Sequence, residues 1–293
     1  MDKQFDDGIR TVELANGIVM PQIGFGTYKL PVADTQRAVE EALEVGYRLI
    51  DNAAAYNNEE GVGAALRATG MSDRVFVTTK LRNADQGYDS ALRAFEESRA
   101  KLGVDVLDLY LIHWPVPRWD RYLDSWRALV RLYEEGAIRA IGVSNFLPDH
   151  IDRIVNETGV VPVVDQIESH PSYSQPGLCA YCAEKGIVVE AFSPLGRGSD
   201  MASEPILAAA KAHGVTPAQA VLRWHLQSGR VLIPKSAHIE RMRENLDLDG
   251  FELSADEMAA IDELDDPANR MSGDPNTFDL PQTPKDMAAR GCK

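Results

Sequence analysis

Cysteine is scarce in this sequence: Cys179, Cys182 and Cys292 are the three among 293 residues. That excludes a disulfide framework and suits a reducing compartment. Cys179 and Cys182 form a C-x-x-C, but it lies in a helical segment, GLCAYCAEKG, with no second pair to complete a zinc site. Long apolar runs are missing too. Nothing approaches the roughly 18 residues of a membrane span, and the opening MDKQFDDGIR has no apolar stretch, so neither an anchor nor a signal peptide is expected and the cytoplasm is the expected location. Positive charge is in deficit, 30 Lys+Arg against 45 Asp+Glu, for a net charge of −15. With no basic run to offset it, that surplus argues against nucleic-acid partners and anionic membrane surfaces. The phosphate-binding signatures of open α/β sheets are absent: Gly24-Phe25-Gly26-Thr27-Tyr28-Lys29 lacks the third glycine of G-x-G-x-x-G, and no G-x-x-x-x-G-K-[ST] occurs. His113, His150, His170, His213, His225 and His238 show neither H-x-H nor H-E-x-x-H spacing, so no metal centre is expected.

What is present is a foldable composition, 44% hydrophobic and 26% charged, and a repeated alternation of short β-branched runs with helical periods. After a hairpin turning at Asn16-Gly17, eight strands are predicted at 22–26, 48–51, 74–79, 106–112, 138–143, 162–166, 187–192 and 231–233, each followed by a helix. Asp34 is expected to cap the first helix, with Ala38, Ala42 and Val45 inward and Gly46 ending it. Leu92, Phe95 and Leu102 form a second inward stripe, stopped by Gly103. Thr216-Pro217 starts a helix with Val221 and Trp224 inward, and Ser254 to Glu257 forms a capping box before Met258, Ile261 and Leu264. Eight strand-helix units close most naturally into a (β/α)8 barrel, so residues 1–293 are expected to form a single barrel domain with an N-terminal β-hairpin. The polar stretch from Asp265 on, with Pro267, Pro275, Pro281 and Pro284, is expected to be a C-terminal tail over one end.

Reactive groups of such a barrel gather past the C-terminal ends of its strands. Asp51 closes the second strand with Tyr56 just beyond it, Lys80 closes the third and His113 the fourth. An ammonium beside a phenol favours phenolate, so Lys80 is expected to lower the Tyr56 pKa, while Asp51 keeps Lys80 charged. His113 can then orient a carbonyl oxygen as Tyr56 donates a proton and a hydride, which no side chain can supply, reaches the carbon. Later strands suit a cofactor. Ser144-Asn145 and Asp165-Gln166 end strands five and six and can bond a carboxamide; Phe192 presents an aromatic face before the glycine-containing turn Ser193 to Gly198. Lys235, Ser236 and Arg241 form an anion site where barrels commonly bind phosphate, unless Glu240 or Glu244 pairs with those bases.

These segments, GYRLIDNAAAYNNEEGVGAAL, VFVTTKL, LYLIHWP, AIGVSNF, VDQIESHP, FSPLGRG and IPKSAHIERMRENL, together resemble the aldo-keto reductase family over nearly the whole chain, and within it the bacterial diketogluconate, carbonyl and methylglyoxal reductases. The resemblance implies NADP(H) and the reduction of small carbonyls, dicarbonyls or keto sugar acids, with a monomer expected. It implies that Tyr56 is the general acid, Lys80 and Asp51 its tuning pair and His113 the carbonyl-orienting group. It places Ser144, Asn145 and Gln166 at the nicotinamide, with Gly26 and Thr27 near that end, and Phe192 stacked on the ring. Ser193, Leu195 and Gly196 fall at the pyrophosphate, Lys235, Ser236 and Arg241 at the 2′-phosphate, and Glu244 and Asn245 at the adenine. Tyr28, Trp114 and Trp119 fall at pocket-lining positions alongside Tyr56 and His113. Two residues depart from the family pattern: Asp165 stands where asparagine is common, and Asn52 replaces a threonine beside Asp51. Three other readings compete. A Schiff-base aldolase on Lys80 is disfavoured because Asp51 holds that lysine charged, a metal hydrolase lacks ligands, and an NADPH-binding sensor with low turnover is disfavoured by the four intact catalytic-type residues.

Overall fold

The computed structural model describes residues 3, 5 and 8–292. The remaining N-terminal positions, on which the expectation of no signal peptide partly rests, and residue 293, the end of the expected domain span, lie outside the described residues.

The hairpin is formed by β1 (Thr11–Glu13) and β2 (Val19–Pro21). Its turn uses Gly17 at φ +82°, with the Gly17 N–H donating to Leu14 O at 2.8 Å. The barrel strands are β3 (Phe25–Gly26), β4 (Leu49–Asp51), β5 (Phe76–Leu81), β6 (Leu107–Ile112), β7 (Ile138–Ser144), β8 (Val164–Glu168), β9 (Val188–Phe192) and β10 (Val231–Leu232). They pair in parallel in chain order, β3 through β10. A parallel bridge between Ile23 and Leu232 joins the two sheet edges, so the barrel closes. Among the described residues eleven helices follow the strands, the hairpin excepted: α1 (Val32–Val45), α2 (Glu59–Thr69), α3 (Tyr88–Leu102), α4 (Tyr122–Glu134), α5 (Pro148–Thr158), α6 (Pro176–Glu184), α7 (Glu204–His213), α8 (Pro217–Gln227), α9 (Ile239–Leu246), α10 (Ala255–Asp262) and α11 (Pro284–Ala289). None of them is long and apolar enough to cross a membrane.

The two-residue period of a strand decides what each side chain meets. Leu49, Phe76, Leu109, Leu111, Ala140, Val164, Val231 and Ile233 fill the lower barrel, where Leu14 and Met20 of the hairpin plug the bottom. Their alternates Ile50, Val77, Tyr110, Ile112, Ile141, Val143, Ile167 and Val189 face outward and pack beneath the helices. Continuing the inward parity upward gives Asp51 on β4, Lys80 on β5, His113 after β6, Ser144 on β7, Gln166 on β8 and Glu190 on β9. The barrel interior therefore changes from apolar to ionisable along its axis. Gly26 is required where β3 passes its neighbour, because a Cβ there would lie 2.9 Å from the Ile233 carbonyl oxygen.

Several boundaries differ from the sequence reading. The segment at 74–79 becomes a strand two residues later, since Arg74 ends a short 3-10 turn, so Lys80 lies within β5 and Leu81 closes it. Likewise β8 runs on through Glu168, and Asp165-Gln166 are interior to it. Asp34 is not the cap of α1: the helix begins at Val32 after Pro31, which puts Asp34 in the first turn, 3.7 Å from Arg37. The caps Thr216 and Ser254 do form, each accepting from the backbone N–H three residues on.

Asp165 has the outward parity, with Ile167, and so faces away from the barrel mouth. Its carboxyl is fully buried, and among the described residues neither oxygen completes a hydrogen bond, although the Phe146 backbone favours its charged form. Burial pushes its pKa well above the usual carboxylate range. The folded state thus holds a proton that the unfolded chain, with a pKa of about 4, releases, so wild-type stability falls as pH rises from about 4. Asp165→Asn removes this dependence. Thermal melts of the two proteins are expected to diverge in favour of the variant as pH rises above about 4, until the folded carboxyl itself ionises, and a melting difference that does not change with pH would contradict a neutral buried acid.

Candidate active site

At the upper end of the barrel, Lys80 is fully buried. Its ammonium donates to Asp51 Oδ1 at 2.7 Å, to Asp51 Oδ2 at 2.8 Å and to the Asn52 carbonyl at 2.9 Å, and stands 3.5 Å from the Tyr56 hydroxyl. A lysine is tolerable there because its charge is paired and its protons are used. Tyr56 sits in the short 3-10 turn that follows β4, buried against Ala53, Ala55, Met287 and Cys292. Asn57, next to it, takes φ +60°, which reverses the chain into α2. Tyr28 packs at 5.0 Å and His113 edge-on at 5.7 Å, so the phenol is held on two sides by rings.

The electrostatics correct one expectation. Lys80 does not lower the Tyr56 pKa on balance: burial, then the Asp51 charge, push it well above 10. The phenol is therefore neutral throughout ordinary pH, and it can release its proton only to a group that is itself becoming strongly basic. His113 has the opposite bias, with burial and Lys80 holding its pKa well below 6.5, so it is a neutral imidazole. Its Nδ1 has no hydrogen-bond partner among the described residues.

Above these groups opens a cavity of about 650 Å³ lined by Asp51, Tyr56, His113, Ser144, Asn145, Gln166, Phe192, Ser193, Leu195, Lys235, Ser236, Arg241, Glu244 and Asn245, together with Gly26, Tyr28 and Trp114. Four expected residues do not line it, Lys80 lying buried beneath it and three others turned away. Thr27 is fully buried, its hydroxyl donating to Asp51 O at 3.1 Å and to Asn52 Oδ1 at 2.8 Å, so it fixes the departed Asn52 instead. Gly196 is turned inward at φ +52°, where a Cβ would lie 2.7 Å from Asp200 Oδ2. Trp119 is carried off by a 3-10 turn that follows Val116 at φ +44°. Its place is taken from the tail: Phe278 stacks on Trp114 with ring centres 4.1 Å apart.

The tail wraps the mouth as expected. Met271 and Ser272 N–H groups donate to Glu168, the Ala84 N–H donates to Pro281 O at 2.8 Å, and Gln282 Oε1 accepts from the Asn83 N–H at 3.1 Å. Met287 and Arg290 of the last segment also line the cavity. None of these was singled out from sequence, because a polar, proline-rich segment has no period to reveal which side chains turn inward.

The cavity carries five cations, Lys29, Arg197, Lys235, Arg241 and Arg290, in a chain of net charge −15. Lys235 and Arg241 do not pair with Glu240 or Glu244; Glu244 instead accepts from Thr216 Oγ1 at 2.6 Å. Partial burial and the neighbouring Lys29 hold the Lys235 pKa below its ordinary value. Four non-glycine lining residues, Lys29, Asn145, Ser193 and Arg197, have φ between 50° and 60°, strain of the kind that concentrates where loops are shaped around a ligand. Donors, an aromatic face and excess positive charge along one cavity suit a long, polyanionic cofactor with a polar ring at the Lys80 end. Among the described residues no group of His, Cys, Asp and Glu could hold a metal ion.

Comparisons with known proteins identify the family. The profile of the Aldo/keto reductase family matches residues 22–266. An aldo-keto reductase of Mycobacterium sp. (strain JLS) is 49% identical over 274 residues, 93% of this chain and 99% of that one. Methylglyoxal reductase DkgA of Yersinia pestis is 47% identical over 270 residues, 91% and 96% of the two chains. The structure of a Gox0644 mutant in complex with NADPH superposes with a TM-score of 0.90 at 47% identity, covering 94% of this chain and 100% of that one. This chain belongs to the aldo/keto reductase family.

Proposed function

We propose that the protein is an NADPH-dependent reductase of small aldehydes, ketones and dicarbonyls. The observation that carries this reading is the buried Asp51–Lys80–Tyr56 arrangement beneath a cation-lined cavity, with Lys80 2.7 Å from Asp51 and 3.5 Å from the Tyr56 hydroxyl. The NADPH-bound neighbour and the methylglyoxal reductase among the relatives support it.

When bound, the cofactor supplies a hydride to the carbonyl carbon. Ser144, Asn145 and Gln166 would hold its carboxamide and Phe192 its ring. Ser193 and Leu195 would meet the pyrophosphate, Lys235, Ser236 and Arg241 the 2′-phosphate, and Glu244 and Asn245 the adenine. His113, as a neutral imidazole, donates one hydrogen bond to the substrate oxygen and orients it toward Tyr56. Tyr56 then gives its proton to that oxygen as negative charge develops there, and Lys80 stabilises the resulting phenolate at close range. Tyr28, Trp114 and the tail's Phe278 and Met287 form apolar walls that exclude water around the reacting carbonyl.

Loss of NADPH absorbance with methylglyoxal, phenylglyoxal, a nitrobenzaldehyde and a diketo sugar acid tests the activity directly. Consumption with at least one is expected; none, combined with no quenching of tryptophan fluorescence by NADPH, would sink the reading. Lys235→Ala and Arg241→Ala are each expected to weaken NADPH about ten- to a hundredfold and NADH much less, since only NADPH carries the extra phosphate. Equal losses for the two cofactors would move the 2′-phosphate elsewhere.

A further inference from the structure

Glu190 lies at the top of the barrel interior without touching the cavity. It is fully buried on β9, directly beside Gln166 in the parallel register. The single side-chain nitrogen of Gln166 donates to two carboxyl groups at once, to Asp51 Oδ1 at 2.8 Å and to Glu190 Oε2 at 2.7 Å. Two acceptors on one NH2 commit both of its protons and fix which end of the amide is which. The Gln166 side-chain oxygen is then its one free polar atom, on a residue that lines the cavity.

Asp51, Lys80 and Gln166 face Glu190, and Tyr56 lies within reach of its charge. Burial and the Asp51 charge push its pKa up to about 8, against smaller opposing effects of Gln166 and Lys80. Its other oxygen, Oε1, has no partner among the described residues. A neutral carboxyl beside the charged Asp51–Lys80 pair costs less than a second buried anion would, and it still offers a carbonyl oxygen to the Gln166 amide.

We propose that Glu190 is a positioning residue: it locks the Gln166 amide with its NH2 turned into the barrel and its oxygen turned to the cavity, preset to accept from the carboxamide NH2 of the nicotinamide. This rests on the cofactor reading above. Asp51 alone would leave the Gln166 amide free to rotate about its one remaining bond, so the lock needs both carboxyl groups.

The test is a double-mutant cycle read as NADPH affinity by tryptophan quenching, with thermal melts alongside. Glu190→Leu is expected to weaken NADPH about tenfold, and to cost less than twofold when Gln166 is already alanine, because Glu190 acts through that amide. Glu190→Gln, whose amide oxygen can accept the same hydrogen bond, is expected to stay within twofold of wild type at pH 7, which keeps the proposal open to test should the leucine variant fail to fold. Additive losses in the cycle, a leucine variant that melts lower yet binds NADPH normally, or a tenfold loss in Glu190→Gln would each overturn it. Wild type that binds NADPH while these variants behave so refutes the positioning role alone, whereas wild type that fails to bind NADPH overturns the cofactor reading and this proposal with it.

Discussion

Tyr56→Phe is expected to lower turnover by about 10² to 10⁴ while leaving NADPH affinity within about threefold of wild type. The substitution removes one oxygen from a packed ring and nothing else. Tyr56 keeps its contacts with Tyr28, His113 and Met287, and its hydroxyl has a single long contact to Lys80 at 3.5 Å. Folding therefore has little to lose. The chemistry has much to lose, because His113, held neutral, is a weak acid and Lys80 is enclosed by Asp51 and Asn52. Single-turnover rates of NADPH oxidation on wild type and variant, with quenching titrations beside them, decide the matter. Turnover near wild type would show that the proton reaches the substrate from another group, and a parallel loss of NADPH affinity would show that the ring shapes the cofactor site.

Lys80→Met has the largest expected cost to the fold. It strips Asp51 of a partner at 2.7 and 2.8 Å, leaving a carboxylate about 1% exposed with only the Gln166 amide beside it. Removing one member of a buried pair typically costs about 3–5 kcal/mol, most of it the penalty for the stranded charge. Acidification, which lets a stranded carboxyl take up a proton, should shrink the deficit, and so should Asp51→Asn placed on top of Lys80→Met. Denaturant unfolding at pH 7 and pH 5 measures both effects. A deficit under about 1 kcal/mol at pH 7 would mean that water or a local shift already serves Asp51.

Much of this was legible in the sequence for a definite reason. Short β-branched runs spaced by helical periods dictate a parallel sheet, because parallel neighbours need a crossover and a helix is the compact one. Eight such units close. The caps at Thr216 and Ser254 and the hairpin at Asn16-Gly17 are local, set by a few bonds between near neighbours, and they form as read. The residues at strand ends followed too: Asp51, Tyr56 and His113 reach one mouth because barrel strands all point the same way.

The rest depended on contacts between segments far apart in the chain. Which oxygen lies near which charge set the Tyr56 pKa, and burial with Asp51 outweighed the lysine whose strand-end position suggested the opposite. Parity, fixed by the register of β8 against β7 and β9, turned Asp165 outward and Gln166 inward, and only that register put Glu190 beside the amide. The tail supplied Phe278 and Met287 to the cavity through bonds to Asn83, Ala84 and Glu168 that no pattern within residues 265–292 announces. Sequence by itself determined the order of elements and the reactive groups they deliver, since both follow from local periodicity and chain direction. Tertiary structure alone decided the charge state of those groups, the orientation of Gln166 and the walls of the pocket, since each is a property of atoms brought together across the barrel.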